Sequence, residues 1–177
     1  MEVAVEVVAL MASSGHRYDG RPRGPVPEQE ADRRTELEVR AGHGIVGDRY
    51  AGRRAHRDAA VTVLAVEALE AVARELGVSP FDPLLPRRNV VLRGVDVETL
   101  RGRPFSLDCG AGEVHLLGGR PAAPCAWLDL VLAPGAHRGL RGRAGVRCRA
   151  DGDGVLRLGP AVLRVGPTGD PGRPPRP

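Results

Sequence analysis

Three side chains in this sequence can act as soft nucleophiles or soft metal ligands: Cys109, Cys125 and Cys148. Cys125 has the surroundings best suited to chemistry. It lies in Pro124-Cys125-Ala-Trp-Leu-Asp-Leu-Val-Leu132, a segment read as a short helix with Pro124 and Cys125 in its first turn, where proline gives up no intrahelical bond. A thiolate so placed is stabilised by the helix dipole and by unpaired backbone N–H groups, and an arginine close in sequence, Arg120, would add to this. Such a thiolate can ligate a soft metal or carry a sulfane sulfur. The competing reading is a cysteine that only packs, as cysteines often do. Cys148 falls in the alternating segment Val146-Arg-Cys-Arg-Ala150, on one face with apolar neighbours, and reads as core. Cys109 sits in a glycine-flanked turn and reads as incidental. There is no C-x-x-C pair, so neither a zinc ribbon nor a disulfide framework is indicated, and an odd number of thiols suits a reducing compartment.

A thiol needs a base and an anion needs cations. The five histidines form no H-x-x-x-H or H-E-x-x-H pair, which leaves a zinc hydrolase without support. His43, flanked by glycines in Ala41-Gly-His-Gly-Ile-Val-Gly-Asp48, is the candidate general base for Cys125, with a solvated loop histidine as the alternative. Arg87, Arg88 and Asn89 put two fixed cations and a carboxamide at the mouth of a strand, a set that suits phosphate or carboxylate; surface solvation would explain them equally. Arg53, Arg54 and Arg57 could join that anion site. Asp48 closes its turn and could cap or orient a neighbour.

Composition narrows the classes further. All 26 basic residues are arginine. Without lysine the chain forms no Schiff base, holds no pyridoxal phosphate covalently and builds no lysine-dependent P-loop. Ile45, Asn89 and Gln29 are each the only residue of their type, a bias that a GC-rich genome explains. The net charge of +4 is modest, but Pro134 to Ala150 carries five arginines and no acid. Because the five aromatic residues do not interleave with those arginines, a small anion is favoured over nucleic acid as the partner.

The 177 residues make one domain at roughly 150 residues each. Glu2 to Met11 is a mostly buried first strand, its alternation incomplete, and Thr35 to Arg40 a half-exposed one; between them Ser13 to Arg34 is a long loop insertion. Ala59 to Ala65 reads as a strand, and Val66 to Leu76 as an amphipathic helix closed by Gly77. Strands are expected at Arg87 to Leu92, Pro104 to Leu107, Glu113 to Leu117, Gly145 to Ala150, Val155 to Leu158 and Ala161 to Val165, with a helical turn at Asp96 to Leu100 and a hairpin turn at Asp151 to Gly154. Residues 166–177 read as a disordered Pro/Gly-rich tail. Many short strands and few helices predict a mostly β, closed or nearly closed barrel. The apolar start carries Glu2 and Glu6 in place of a basic region and is too short to span a bilayer, so a soluble, cytoplasmic protein is expected.

Five segments occur in an order that resembles the MOSC domain, named after the C-terminal region of molybdenum cofactor sulfurases. They are Gly47-Asp48-Arg49-Tyr50-Ala-Gly52, Arg87-Arg88-Asn89-Val-Val-Leu-Arg-Gly94, Leu100-Arg-Gly-Arg-Pro-Phe105, Pro124-Cys125-Ala-Trp-Leu128 and Gly142-Arg-Ala-Gly145-Val146. The resemblance covers about Val3 to Val165 and implies a MOSC-type β-barrel over residues 1–165. It implies that Cys125 is the functional cysteine, ligating molybdenum where a molybdenum cofactor (molybdopterin) is bound and carrying a persulfide elsewhere. It places Arg87 and Asn89 of the R-x-N element on the phosphate and metal side of a pocket, with the turn of Asp48 and Arg49 supporting its rim; Arg88 joins as a cofactor-binding candidate through the anion site read above. With no lysine, anion contacts fall to arginine. The chain departs from the family pattern at Gly159, followed by Pro160, at Ala123 and Pro124 before the cysteine, and in the insertion.

Three functions remain open at this stage. The first is an enzyme or carrier using Cys125 on a molybdenum cofactor, as in reductases of N-hydroxylated compounds, with a redox partner. The second is a metal-independent enzyme in which Cys125 accepts sulfur from a donor protein or makes or cleaves C–S bonds on a small anionic or sulfur-containing metabolite. The third is an anion or nucleic-acid binding module built on Arg138 to Arg149.

Overall fold

The computed structural model describes residues 1–15 and 32–167. Its elements run β1 (Glu2–Met11), β2 (Arg33–Arg34), β3 (Glu36–Arg40), β4 (Gly44–Ile45), a 3-10 turn (Arg54–Ala59), β5 (Val61–Ala65), α1 (Val66–Leu76), β6 (Val90–Arg93) and a second 3-10 turn (Val97–Leu100). Then come β7 (Pro104–Asp108), β8 (Glu113–Pro121), α2 (Trp127–Val131), α3 (Ala136–Gly139), β9 (Val146–Ala150), β10 (Gly154–Arg157) and β11 (Gly159–Val165). Most of the insertion read at Ser13 to Arg34, and the tail beyond residue 167, lie outside the described residues.

Seven strands close on themselves in the order β1, β11, β7, β8, β9, β5, β6 and back to β1, with β2 attached along β1. The expected β-barrel is therefore the fold. Only β5 and β6 pair in parallel, and α1 is the crossover that parallel neighbours require. Val66, Leu69, Val72 and Ala73 bury the inner stripe of α1, and Gly77, at φ 67°, ends the helix in the left-handed conformation that glycine adopts freely. β10, β3 and β4 form a separate small sheet. The turn at Asp151 to Gly154 is therefore no hairpin: β9 and β10 belong to different sheets. Asp153 accepts a hydrogen bond from Ala41 N at 2.7 Å and Ala150 O accepts one from Gly42 N at 2.8 Å, which fastens this crossover to the β3–β4 turn.

The period of two sorts each barrel strand into inward and outward residues. Val61, Val63, Val146, Cys148, Leu107, Leu116 and Leu163 fill the interior. Outside the β5 wall, Leu64 packs with Leu69, Val72, Leu128, Leu140 and Ala144, a second apolar layer joining the helices to the barrel. No described helix is long and apolar enough to cross a membrane.

The second 3-10 turn is capped by Asp96, whose side chain accepts from Glu98 N at 3.0 Å. Glu98 in turn accepts from Gly145 N at 3.0 Å through Oε1, while its Oε2 is buried without a hydrogen-bond partner. Burial raises the Glu98 pKa from its usual 4.5 by more than the Gly145 N–H and Arg101 lower it. A folded-state value above the unfolded one means that the contribution to stability is complete below the unfolded pKa and is lost as pH rises through the folded value. Thermal melts between about pH 4 and pH 7 should show Glu98→Gln gaining stability over the wild type as pH rises; a gap independent of pH would contradict the burial argument.

Candidate functional site

The outward residues of β5 and β9 build one wall of a cavity. Thr62 stands opposite Arg147 in the ladder, while their neighbours Val61, Val63 and Cys148 point into the barrel. The segment from Ala122 to Leu128, the Pro86–Asn89 approach to β6, and Arg49 and Tyr50 complete the enclosure. The cavity holds about 250 Å³ and its lining includes Arg49, Arg87, Arg88 and Arg147, four guanidinium groups, together with Cys125 and Trp127. Among the described residues no aspartate, glutamate or histidine is in the lining. Pockets for drug-sized ligands run to about 300–1,000 Å³, so this one suits a small molecule or the charged end of a larger one.

Asn89 and Asp48 hold this enclosure together. Asn89 Oδ1 accepts from Thr62 N at 3.0 Å and from Thr62 Oγ1 at 2.7 Å. Its amide donates to Met11 O at 3.3 Å and to Asp48 Oδ2 at 3.2 Å. Asp48 also accepts from Ser13 N at 3.3 Å and from Tyr50 N at 3.0 Å. Both residues are buried. The Asn89 carboxamide lines the cavity with its hydrogen-bonding capacity turned inward, so it fixes β1, β5 and the Asp48 turn to one another. Asp48 itself is outside the lining and orients Arg49 and Tyr50.

The four arginines are used differently. Arg87 is the only non-glycine residue among those described with positive φ, at 57°. Its Nη1 lies 3.5 Å from Asp32 Oδ2 and its Nη2 donates to Gly15 O at 3.5 Å. The left-handed backbone costs on the order of 1–2 kcal/mol, and these anchors help hold it. Arg88 donates from Nε to Ala144 O at 3.0 Å, from Nη1 to Pro86 O at 2.9 Å and from Nη2 to Ala122 O at 3.3 Å. Burial, then repulsion from Arg147, brings its pKa down to about 10, so it stays charged at neutral pH; Cys125 and Tyr50 act in the opposite sense. Arg49 stacks over the Tyr50 ring at 4.6 Å, a cation–π contact, and its buried Nε has no acceptor. Arg147 has no acidic partner among the described residues.

Cys125 is exposed at this cavity, but it precedes α2 instead of entering its first turn. Its carbonyl accepts from Leu128 N at 3.0 Å, and Ala126 is the cap. With five residues α2 is too short for a helix-dipole argument, and the charge near Cys125 comes from the arginines. Cys148 is fully buried in the barrel, where desolvation pushes its thiol pKa far up. Cys109 is half-buried. Iodoacetamide is therefore expected to alkylate Cys125 in the folded protein and to reach Cys148 only on denaturation, as peptide mapping would show. Equal native labelling of the two would contradict these placements.

The structure brings together Cys125, Arg49, Arg87, Arg88 and Asn89 from the sequence-derived set. It leaves out His43, which packs against Gly52 in the turn after β3, and Arg120, which is exposed on β8. Arg143 and Arg149 of the late arginine run are engaged by Glu75 and Asp151. Arg147 was read only as one of the late arginine run, and Trp127 and Thr62 are lining residues that sequence reasoning did not single out. The alternation in Val146–Ala150 carried the first signal, since a buried Cys148 turns Arg147 outward. For Trp127 the signal was its place two residues after the cysteine. Its indole Nε1 is buried with no acceptor. Among the described residues no group of three or more His, Cys, Asp or Glu could hold a metal ion.

Comparison with known proteins agrees with this architecture. The YuaD protein of Bacillus subtilis superposes with a TM-score of 0.68 at 18% identity, over 92% of this chain and 96% of that one. YiiM of Geobacillus stearothermophilus gives 0.59 at 18% identity, over 90% and 75% of the two chains, and YiiM of Escherichia coli 0.56 at 19%, over 93% and 70%. A comparison with curated protein sequences finds no match. The family model for the MOSC domain matches residues 34–163, a span that includes the Asp48 turn, Arg88, Asn89, Cys125 and Arg147. The chain belongs to the MOSC domain family.

Proposed function

We propose that this protein binds a small anionic ligand in its arginine-lined cavity and uses the Cys125 thiolate on it in sulfur or molybdenum cofactor chemistry. The observation that carries this reading is the gathering of four guanidinium groups and one exposed thiol around a cavity lined, among the described residues, by no carboxylate. Arg87 has Asp32 beside it, but Arg49, Arg88 and Arg147 have no carboxylate partner among the described residues; desolvated cations of that kind are costly to hold, and an anionic ligand offsets the cost.

The donor set fits the molybdenum cofactor associated with the family. Arg49, Arg88 and Arg147 would hold its phosphate, and Cys125 would be the soft ligand; when bound, that group supplies two-electron redox chemistry. Arg88 fixes the cysteine segment through Ala122 O and keeps a positive charge beside the thiol. Exposure of Cys125 favours a second reading, in which the thiolate takes sulfur from a donor protein without metal, in a reducing cytoplasm.

Protein purified from a cofactor-competent host and assayed for metal, and the same protein weighed intact after polysulfide treatment, would test both. Near-stoichiometric molybdenum, or the gain of one sulfur, is expected, and either should vanish in Cys125→Ser. A wild type that acquires neither, or a variant that keeps what the wild type acquires, would overturn the reading.

A further inference from the structure

Resting on that reading of Cys125, we propose that the cavity's substrate is an oxyanion carrying a sulfane sulfur, thiosulfate or an organic thiosulfonate, and that Trp127 and Arg49 grip its oxygens. Two of the lining residues, Trp127 and Arg49, each carry a buried N–H group, Nε1 and Nε, with no acceptor among the described residues. An indole N–H is a donor only, so what it meets must be an acceptor. The two donors come from different segments, one from α2 and one from the turn after Asp48, and so call for a ligand with oxygens on more than one side. The nearby Arg88 and Arg147 charges require that ligand to be anionic, and about 250 Å³ keeps it small.

Sulfate and phosphate satisfy those donors but offer the adjacent thiolate nothing to attack. A thiosulfonate presents its oxygens to the donors and its terminal sulfur to Cys125. The Cys125 thiolate attacks the sulfane sulfur, a new S–S bond forms, and the old S–S bond breaks with its electron pair leaving on sulfite or a sulfinate. Cys125 is left as a persulfide, with no external oxidant or reductant. Among the described residues the lining has no carboxyl and no histidine to protonate a leaving group. Sulfite and sulfinates leave as anions, held by the arginines, and need no proton.

The reduced full-length chain incubated with thiosulfate should release one sulfite per chain and gain one sulfur on Cys125 by intact mass; cyanide should then remove that sulfur as thiocyanate and restore the thiolate. Cys125→Ser should do none of this. Trp127→Phe, which keeps the ring and the thiol, should raise KM for thiosulfate about tenfold with kcat nearly unchanged, the signature of a lost hydrogen bond to a charged ligand. A merely structural role would lower kcat and the melting temperature instead. Trp127 is the only tryptophan. Its emission in Cys125→Ser should therefore titrate with thiosulfate and with sulfate, a readout that survives if Trp127→Phe does not fold. No sulfite above the Cys125→Ser level, an unchanged KM in a folded Trp127→Phe, or an emission indifferent to both anions would overturn the proposal. Sulfur accepted from polysulfide but not from thiosulfate would overturn it while leaving Cys125 as a sulfur acceptor. Failure with both donors, and with molybdenum, would overturn both readings.

Discussion

Gly145→Ala is expected to cost about 4 kcal/mol and to lower the melting temperature by on the order of 10 °C. A Cβ at this position would lie 2.3 Å from Val63 O, which belongs to the β5 backbone and cannot swing aside. The backbone there also has φ 98°, a region that disfavours any side chain. The damage would reach the cavity. Gly145 O accepts from Ala122 N at 2.8 Å, Gly145 N donates to Glu98, and the neighbouring Ala144 O is held by Arg88. Loss of rapid Cys125 chemistry together with the lower melting point is expected by calorimetry and labelling. A melting temperature within about 2 °C of wild type would show that β5 and β9 can separate at little cost.

Asn89→Asp is the second large effect, although it changes the side chain by one atom's chemistry. The amide donates to Met11 O and Asp48 Oδ2 and accepts twice from Thr62. An aspartate would keep the acceptor side, lose both donors and set a second carboxylate against Asp48 in a buried place. We expect a loss of about 4 kcal/mol at neutral pH. Two carboxylates sharing a site raise one pKa, so the folded variant holds a proton that the unfolded chain releases. Stability is then greatest at acid pH and falls as pH rises through that raised value. Denaturant melts at several pH values would check this; a loss that stays constant from acid to neutral pH would exclude carboxylate repulsion as its cause.

Local rules carried the sequence reading where one element decides its own form. α1 is legible because its apolar positions repeat at the helical period and Gly77 closes it, and β1 because it is rich in valine, alternating at first and then buried continuously from Ala9 to Met11. Cys125, Arg87, Arg88 and Asn89 were singled out by residue type, and the cavity does gather them. What failed depends on pairing between distant segments. Nothing local says that β9 lies against β5, so Arg147 could not be matched with Thr62. Nothing local says that β10 leaves the barrel for β3, so the Asp151–Gly154 turn read as a hairpin. Arg120 was chosen for closeness in sequence to Cys125, but the β8 backbone turns it outward to solvent.

Arg88 has a bearing on how this sequence can drift. Among the described residues many of the arginines are surface cations, such as Arg53, Arg54 and Arg120, where a lysine would keep the charge and a change in genomic base composition would exchange them at little cost. At position 88 three separate nitrogens reach the carbonyls of Pro86, Ala122 and Ala144, one from each of three chain segments. A lysine has a single nitrogen and could not span all three. In homologues from AT-rich genomes, where lysine replaces arginine widely, the cation at this position should remain arginine, marking it as selected by geometry amid a background set by codon usage.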